Sequence, residues 1–200
     1  MIRHRRIPAL FGAALLAAGL GTLAAPAQAS TPTARTAPAV AAPDAAAQAA
    51  VVAAVRQQQL THPNATGRHI CYAAHVQNIG WQPAVCDGAQ AGTTGQSLRM
   101  EALTIAVSGV GGVCAQAHVQ NIGWQAWSCV GDGLVAQVGT TGQSLRMEAL
   151  NIGVSTGAVC ADAHVQNIGW QGWNCQATPA AAFVGTTGQS LRMEAIELTV

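Results

Sequence analysis

Three near-identical copies of one polar-aromatic cassette occupy the second half of the chain, and they limit its possible folds more than any other feature. The first block of the cassette is Ala74–Gln82, which recurs letter for letter at residues 117–125 and 163–171. The second block recurs with equal fidelity, at residues 92–102, 139–149 and 185–195. Because the segments between the blocks differ freely, a period of about 45 residues indicates a repeat architecture.

The first 29 residues have the pattern of a secretory signal peptide. A basic start is followed by a largely apolar run that ends at Ala27-Gln28-Ala29, and this order is typical of export signals. A transmembrane helix is the alternative, but Pro8 and several Gly interrupt the run, and no basic flank follows it. We therefore expect a secreted, extracellular protein whose mature chain does not insert into a membrane. Association with the cell wall is a further expectation.

Residues 30–66 differ in composition from the repeats that follow them. Their first part is rich in Ala, Pro and Thr, which predicts an extended linker. Asp44 could cap a helix from about Ala45 to Gln59, which we expect to be marginal because its apolar residues form no clear stripe. The predicted β domain covers residues 67–200. Its three repeats are expected at about 68–110, 111–156 and 157–200.

Charge argues against a nucleic acid partner. Without residues 1–29 the chain keeps six Arg against eight acidic residues, a net charge of −2, and it has no Lys. Proteins that bind nucleic acid normally show a basic patch or stripe, whereas these Arg residues do not cluster. We therefore predict no nucleic acid partner.

Strand signals dominate the repeats. Each repeat ends in an alternating segment rich in β-branched and aliphatic residues, at 98–107, 145–154 and 191–200. The alternation changes face near Glu101–Ala102, which predicts either a β-bulge or a strand that passes from one layer to another. We predict an all-β fold closed around a pseudo-threefold axis, as in a β-trefoil or a β-prism, because closure removes exposed sheet edges. Three separate modules in a row are the alternative.

Six cysteines occur as one pair in each repeat. The pairs are Cys71 and Cys86, Cys114 and Cys129, and Cys160 and Cys175. In an exported chain this predicts one disulfide within each repeat. A straight strand would hold the paired Cα atoms about 50 Å apart, so the chain must reverse between them. Asn78–Gly80 has turn-forming residues near the midpoint, and Gln82-Pro83 is a second candidate in the first repeat.

Zinc is the alternative explanation of the cysteines. Cys71, His75 and Cys86 could supply three ligands. An oxidising compartment favours disulfides instead, and no fourth ligand recurs at a matching place in all three repeats. We therefore predict no metal and no cofactor.

The two blocks resemble the repeat of the Clostridial hydrophobic W family of secreted bacterial proteins. The resemblance is carried by His-Val-Gln-Asn-Ile-Gly-Trp-Gln in the first block and Gly-Thr-Thr-Gly-Gln-Ser-Leu-Arg-Met-Glu-Ala in the second, and it covers about residues 69–200. Trp127 and Trp173 match a second family Trp, which Ala84 replaces in the first repeat. Tyr72 matches a family Tyr that the other repeats lack. The resemblance implies a binding protein at the cell surface, with polysaccharide or protein as its partner.

The candidate ligand-binding residues combine aromatic positions with a polar set. Trp127 and Trp173 are predicted platforms for a sugar ring, because a core position should not tolerate Ala84 in the first repeat. The polar set is expected to hydrogen-bond sugar hydroxyls. It consists of Gln77, Asn78, Arg99, Glu101, Gln120, Asn121, Arg146, Glu148, Gln166, Asn167, Arg192 and Glu194. A surface ion pair between each Arg and Glu, worth under about 1 kcal/mol, is the alternative.

The cassette also contains an invariant Trp and an invariant His, for which we predict structural roles. The Trp is expected in the core, because its side chain buries a large apolar area, and a sugar platform is the alternative. It occurs as Trp81, Trp124 and Trp170. The His is expected to bond a neighbouring strand. It occurs as His75, His118 and His164.

Threefold recurrence favours binding over catalysis. An enzyme usually needs one asymmetric arrangement of titratable groups, whereas identical repeated sites suit multivalent binding. We therefore predict no catalytic residues and a carbohydrate-binding module with up to three equivalent sites. A protein-interaction or adhesion module is the alternative. A glycan-acting enzyme is a third hypothesis. A measurable activity that is lost when Glu101, Glu148 or Glu194 is replaced by Gln would support it.

Overall fold

The structure, a computed structural model, describes residues 45–62 and 67–200. The predicted signal peptide and the Ala/Pro/Thr-rich part of the predicted linker lie outside the described residues. Everything described belongs to one compact unit of the chain, residues 39–200. In these two stretches, no helix combines the length and the apolar character needed to cross a membrane.

One helix precedes the repeats. α1 spans Ala45–Thr61, a stretch of Ala, Val and Gln without a Gly or Pro to interrupt it. Val51 and Val55 lie four residues apart, so they share one face of the helix, and both are fully buried. The helix is therefore packed onto the repeat domain through these valines and does not stand free as a tether.

Fifteen strands make up the repeats, five in each, and each set occurs in the same order. The first repeat contains β1 (His69–Val76), β2 (Gly80–Trp81), β3 (Val85–Cys86), β4 (Ala91–Gly92) and β5 (Met100–Ser108). The second contains β6 (Val113–Val119), β7 (Gly123–Trp124), β8 (Ser128–Val130), β9 (Val135–Gly139) and β10 (Met147–Val154). The third contains β11 (Ala158–Val165), β12 (Gly169–Trp170), β13 (Asn174–Ala177), β14 (Ala182–Gly185) and β15 (Met193–Thr199).

These strands form three antiparallel five-stranded sheets, and each sheet takes one strand from another repeat. The first sheet has the order β2-β1-β5-β9, with β3 also on β1. The second has the order β14-β10-β6-β7 with β8 on β6, and the third has the order β12-β11-β15-β4 with β13 on β11. Thus β9 completes the first sheet, β14 the second and β4 the third.

This strand exchange links the three repeats in a ring, because the first repeat gives β4 to the third sheet. The repeats are therefore not independent modules in a row. The predicted all-β fold of three repeats, each with one disulfide, is confirmed. The sheets stay distinct from one another, and closure as a β-trefoil or a β-prism remains a prediction.

The three sheets share one apolar core, to which each contributes alternate residues of its strands. In the first sheet these include Ile70 and Tyr72, both fully buried. The hydroxyl of Tyr72 donates to the carbonyl of Ala89 and accepts from the N–H of Leu198 at 2.8 Å, which ties the first repeat to the third. Burial raises the pKa of this hydroxyl well above its usual value. We call the side of each sheet turned away from this core its outer face.

A β-bulge occurs at the same glutamate in every repeat. In the first sheet His75 pairs with Ala102 and Val76 pairs with Met100, so Glu101 has no partner of its own. The second and third sheets skip their glutamates in the same way, at Glu148 and Glu194. The predicted bulge is therefore confirmed. Its extra residue allows Met100 and Leu103 both to enter the core.

The predicted disulfides are present. The Cα–Cα distances are 4.1 Å for Cys71–Cys86, 4.0 Å for Cys114–Cys129 and 4.0 Å for Cys160–Cys175. The chain reverses at the predicted turn, where Asn78 has a φ of 63° and the N–H of Ile79 donates to the carbonyl of Val76. Because these sulfurs are bonded to each other, they cannot serve as thiolate ligands for zinc. No group of three or more His, Cys, Asp or Glu suited to a metal occurs in residues 45–62 and 67–200.

Candidate functional site

The bulge brings an Arg, a His and a Glu of each repeat together on the outer face. In the first repeat one carboxylate oxygen of Glu101 accepts hydrogen bonds from Nε of Arg99 at 3.0 Å and from Nη2 at 2.7 Å. Its other oxygen lies 3.1 Å from Nδ1 of His75. That contact has an ion-pair distance, although the imidazole is not aligned for a hydrogen bond. The carboxylate is thus held from both sides.

The same arrangement recurs in the other two repeats. The shortest Arg–Glu distance is 2.7 Å in both, between Arg146 and Glu148 and between Arg192 and Glu194. The His–Glu distances are 2.9 Å for His118–Glu148 and 3.1 Å for His164–Glu194. All three glutamates are buried, so these are not the exposed surface ion pairs that the sequence left as an alternative. Burial removes the competing water that makes surface pairs weak.

An indole completes each group. Trp81 packs edge-on against His75 with ring centroids 5.3 Å apart. The second and third repeats have the same contact at 5.3 and 5.6 Å, between His118 and Trp124 and between His164 and Trp170. We call each set of four side chains a Trp-His-Glu-Arg cluster.

The prediction that the cassette Trp lies in the core is wrong for two repeats. Trp124 is 40% exposed and Trp170 is 38% exposed. Each lies on a two-residue strand beside the His strand, where its direct partner is the imidazole of the outer face. Trp81 is half-buried, and it packs against the apolar cluster to which α1 contributes Val51 and Val55. An identical position in every repeat therefore reflects a common surface contact and not a common core.

The predicted Gln and Asn positions form the turn next to each cluster. Gln77 is partly buried and Asn78 is exposed, and the N–H of Gln77 donates to the carbonyl of Arg99 at 3.0 Å. The corresponding bonds join Gln120 to Arg146 and Gln166 to Arg192. Asn121 and Asn167 are exposed with a φ of 63°, as at Asn78. The Ile that follows each Asn is about half exposed, at Ile79, Ile122 and Ile168.

Trp127 and Trp173 are exposed, as a platform role requires, but they lie apart from the clusters. They are 46% and 47% exposed. Trp127 borders a cleft of about 500 Å³ on the second sheet, together with the disulfide Cys114–Cys129 and Pro179. In the described part of the chain, no hydrogen bond or ring contact joins either indole to an Arg–Glu pair. The aromatic positions and the polar set are therefore not joined by a hydrogen bond or a ring contact in residues 67–200.

The last Gln of the first block has a role that sequence reasoning missed. Nε2 of Gln125 donates to the carbonyl of Gly139, and Oε1 accepts from the N–H of the same residue. Gln82 and Gly92, and Gln171 and Gly185, are joined in the same way. These glycines lie in the exchanged strands, so each Gln anchors the strand that its repeat gives to another sheet. Invariance of both residues in all repeats was the available signal.

The middle of the outer face differs among the sheets. Directly opposed residues are Ala73 and Thr104 in the first, Gln116 and Asn151 in the second, and Asp162 and Glu197 in the third. Asp162 is buried and accepts hydrogen bonds from the backbone of Gln171 and Gly172. Burial, and then the charge of Asp162, raise the pKa of Glu197. The third face therefore carries two opposed carboxyl groups.

One further polar group occurs only in the first repeat. Nδ1 of His69 lies 2.7 Å from Oδ2 of Asp87, and His69 is paired with Ser108 across the sheet. An Asp, a His and a Ser in this order suggest nucleophilic catalysis. However, His69 is 1% exposed and Ser108 is 2% exposed, so a substrate has no access to either side chain in this structure. We interpret the group as structural.

One comparison with known proteins identifies the three repeats. The family pattern described as Clostridial hydrophobic W matches residues 75–109, 118–155 and 164–200, which together are more than half of the chain. Each match begins at the His of one Trp-His-Glu-Arg cluster and includes its Arg and Glu. No curated protein and no solved structure matches the chain significantly.

Proposed function

The chain belongs to the Clostridial hydrophobic W family, and we propose that it recognises polysaccharide or cell-wall glycan at the bacterial cell surface through the outer faces of its sheets. The proposal rests on one observation: an exposed indole lies beside a fixed His, Glu and Arg at equivalent places in the second and third repeats. The three disulfides are consistent with an extracellular location.

The chemistry of each cluster suits a sugar. A pyranose ring offers an apolar face to an indole and hydroxyls to polar groups, and Trp is well suited to such mixed surfaces. Glu148 is buried and already bonded to Arg146. We therefore propose that it positions Arg146 and His118, whose partly exposed side chains contact the ligand. A polar set that is fixed before binding loses little entropy when the ligand arrives.

Recurrence supports multivalent binding. A single shallow site of this kind binds weakly, but a glycan chain presents many equivalent units. Sites linked on one rigid domain combine weak contacts into much tighter overall binding. We also propose that the module is not an enzyme, and measurable glycan hydrolysis that is lost after Glu148→Gln would contradict that proposal.

A pull-down assay tests the proposal directly. The intact mature chain is incubated with insoluble peptidoglycan, chitin and cellulose, and the bound fraction is measured. We expect retention on at least one polysaccharide and a large loss of retention in the double variant Trp124→Ala/Trp170→Ala. Leu134→Ala is the matched control, because Leu134 is also a large exposed apolar residue, at 59%. The proposal would be contradicted if the chain were retained on none of the three polysaccharides, or if the double Trp variant were retained as well as the unmodified chain.

A protein-interaction or adhesion module is the second candidate, and the exposed isoleucines favour it. Each turn presents an Ile that is about half exposed beside the indole strand. Exposed apolar patches mark sites of protein interaction. Crosslinking on intact cells distinguishes the candidates, because capture of one protein partner that added sugars do not reduce would favour the second.

A further inference from the structure

The three outer faces are not equivalent, although their cassettes are identical. On the first sheet Val51 and Val55 of α1 pack against Cys71, Ala73 and Ala106. Each of these five residues is fully or almost fully buried. The side-chain amide of Gln48 also donates to that of Gln137 on β9 at 2.8 Å. The helix is thus anchored both to the first repeat and to the strand that completes its sheet.

One small residue beneath α1 has larger, polar counterparts on the other two faces. Ala73 corresponds to Gln116 on the second face and to Asp162 on the third, because each precedes the cluster His by two residues. On the second face Trp124 and Phe183 lie 6.2 Å apart, both exposed. The position of Phe183 is taken on the first face by Gln137, which bonds to α1. The first face is therefore built to receive a helix.

The first repeat lacks the second Trp of the repeat pattern at a position that packs with the residues under α1. Ala84 stands where the other repeats have Trp127 and Trp173, and it packs with the group of residues under α1. An indole at this position would need more space beside this group than the half-buried Ala84 occupies, so it would have to displace its neighbours or extend into the solvent. In the first repeat, Ala84 therefore packs with the residues under α1, and no second aromatic platform is present at this position.

The disulfides show the same division. Cys71 is fully buried and Cys86 is partly buried beneath α1. Cys129 and Cys175, the corresponding second cysteines of the other repeats, are exposed. The covering by α1 thus lies over the disulfide and the middle of the first outer face, next to the half-buried Trp81. The side chains of His75 and Arg99 keep the same partial exposure as their equivalents in the second repeat.

We infer that α1 is a built-in occupant of the first outer face, so that the protein has two glycan-binding faces, on the second and third sheets, and not three. The inference rests on the proposed function for the nature of the ligand. The covering of the first face rests on the contacts of α1 alone. The two remaining faces carry Trp124 with Trp127 and Trp170 with Trp173.

Selective reduction tests the covering without any ligand. The intact chain is treated with increasing concentrations of a phosphine reductant, and the freed cysteines are alkylated and identified by mass spectrometry. We expect Cys71–Cys86 to be reduced about tenfold or more slowly than the other two bridges, since it opens only when α1 detaches. Val51→Asp should remove this protection. Ala53→Asp is the matched control, because it places the same charge on the exposed side of the same helix. Equal reduction of all three bridges in the unmodified chain would overturn the covering.

Calorimetric titration tests the number of faces. The probes are β-1,4-linked hexasaccharides of N-acetylglucosamine and of glucose. We expect two sites on the intact chain, one site after Trp124→Ala or Trp170→Ala, and still two after Trp81→Phe. Three sites, or a site lost with Trp81→Phe in a variant that melts normally, would overturn the inference. Binding of neither probe would contradict the two glycan faces, while the reduction experiment would still decide whether α1 covers the first face.

Discussion

The side-chain amide of Gln125 binds both backbone groups of Gly139, donating to its carbonyl at 3.0 Å and accepting from its N–H at 2.7 Å. Gln125 follows β7 in the second repeat, whereas Gly139 pairs with Ala102 in the first sheet. One side chain therefore fixes the strand by which two repeats are joined. The other repeats use the same contact, so one residue from each block of the cassette anchors every exchanged strand.

Replacing this glutamine tests the strand anchor. Gln125→Ala removes two hydrogen bonds to the backbone and should lower the free energy of unfolding by about 2 kcal/mol. Urea denaturation followed by tryptophan fluorescence measures the change. Gln143→Ala is the control, because Gln143 is an exposed residue of the following turn. A loss for Gln125→Ala no greater than for the control would show that the contact contributes nothing to stability.

A second test concerns the glycine itself. Gly139 has a φ of +85°, and a Cβ added to it would lie 2.6 Å from Cα of Ala102. Gly139→Ala should therefore cost about 3 kcal/mol or more, since backbone must move in addition to the left-handed strain. Gly142 has a similar φ of +70°, and a Cβ added to it would have no atom within 4 Å. Gly142→Ala should therefore lower the free energy of unfolding by only about 1 kcal/mol. Thermal unfolding compares the two, and equal losses would contradict the predicted clash.

The buried ion pair of each cluster should show strong coupling. In a double-mutant cycle, Arg146→Met and Glu148→Gln should be individually destabilising, with a coupling energy of about 1–3 kcal/mol. The reason is that Arg146→Met leaves the buried Glu148 with His118 alone, and Glu148→Gln leaves the partly exposed Arg146 without its carboxylate. Chemical denaturation of the four proteins gives the coupling. A value indistinguishable from zero would mean that the pair behaves as an exposed surface contact.

The carboxyl pair of the third face predicts a pH dependence. Burial and Asp162 raise the pKa of Glu197, so the folded state binds this proton more tightly than the unfolded state. The resulting stabilisation is fully present below the usual Glu pKa of about 4.3 and is lost as the pH rises through the raised value. Glu197→Gln should therefore stabilise the protein at about pH 7 and lose that advantage at about pH 3.

A matched control separates repulsion from a general effect of charge. Asn151 occupies the equivalent position on the second sheet, opposite the neutral Gln116. Asn151→Asp adds a carboxylate with no carboxylate facing it, so its effect should depend less on pH. The melting temperatures of the unmodified chain, Glu197→Gln and Asn151→Asp between about pH 3 and pH 7 test whether the effect is repulsion. A constant difference between Glu197→Gln and the unmodified chain at every pH would contradict the predicted repulsion.

Several features could be predicted because they depend on neighbouring residues. The face change at Glu101 predicted either a bulge or a strand that changes layer, and a bulge is present in each sheet. The constant cysteine spacing predicted a bridge within each repeat, and the turn at Asn78 makes it possible. In both cases the signal lies within one repeat, where local alternation and spacing already determine the geometry.

The candidate site was predicted only in part. Arg99 and Glu101 were correctly placed together, and His75 was expected to bond a neighbouring strand, but its approach to Glu101 was not foreseen. The exposure of Trp124 could not be derived, because an invariant aromatic residue suits a core and a surface contact equally well. The separation of Trp127 from the polar set likewise depends on where its loop lies along the face.

The sequence by itself determined the repeat unit: its strands, its bulge, its turn and its disulfide follow from residues close together in the chain. Only the tertiary structure decided which strand completes which sheet, and that α1 covers the outer face of the first repeat. The physical reason is that strand exchange and helix packing join residues far apart in sequence. Identical cassettes contain no signal that distinguishes one repeat from another. The role of the small residues Ala73, Ala84 and Ala106 follows only from the tertiary structure, in which they pack in one cluster with Val51 and Val55.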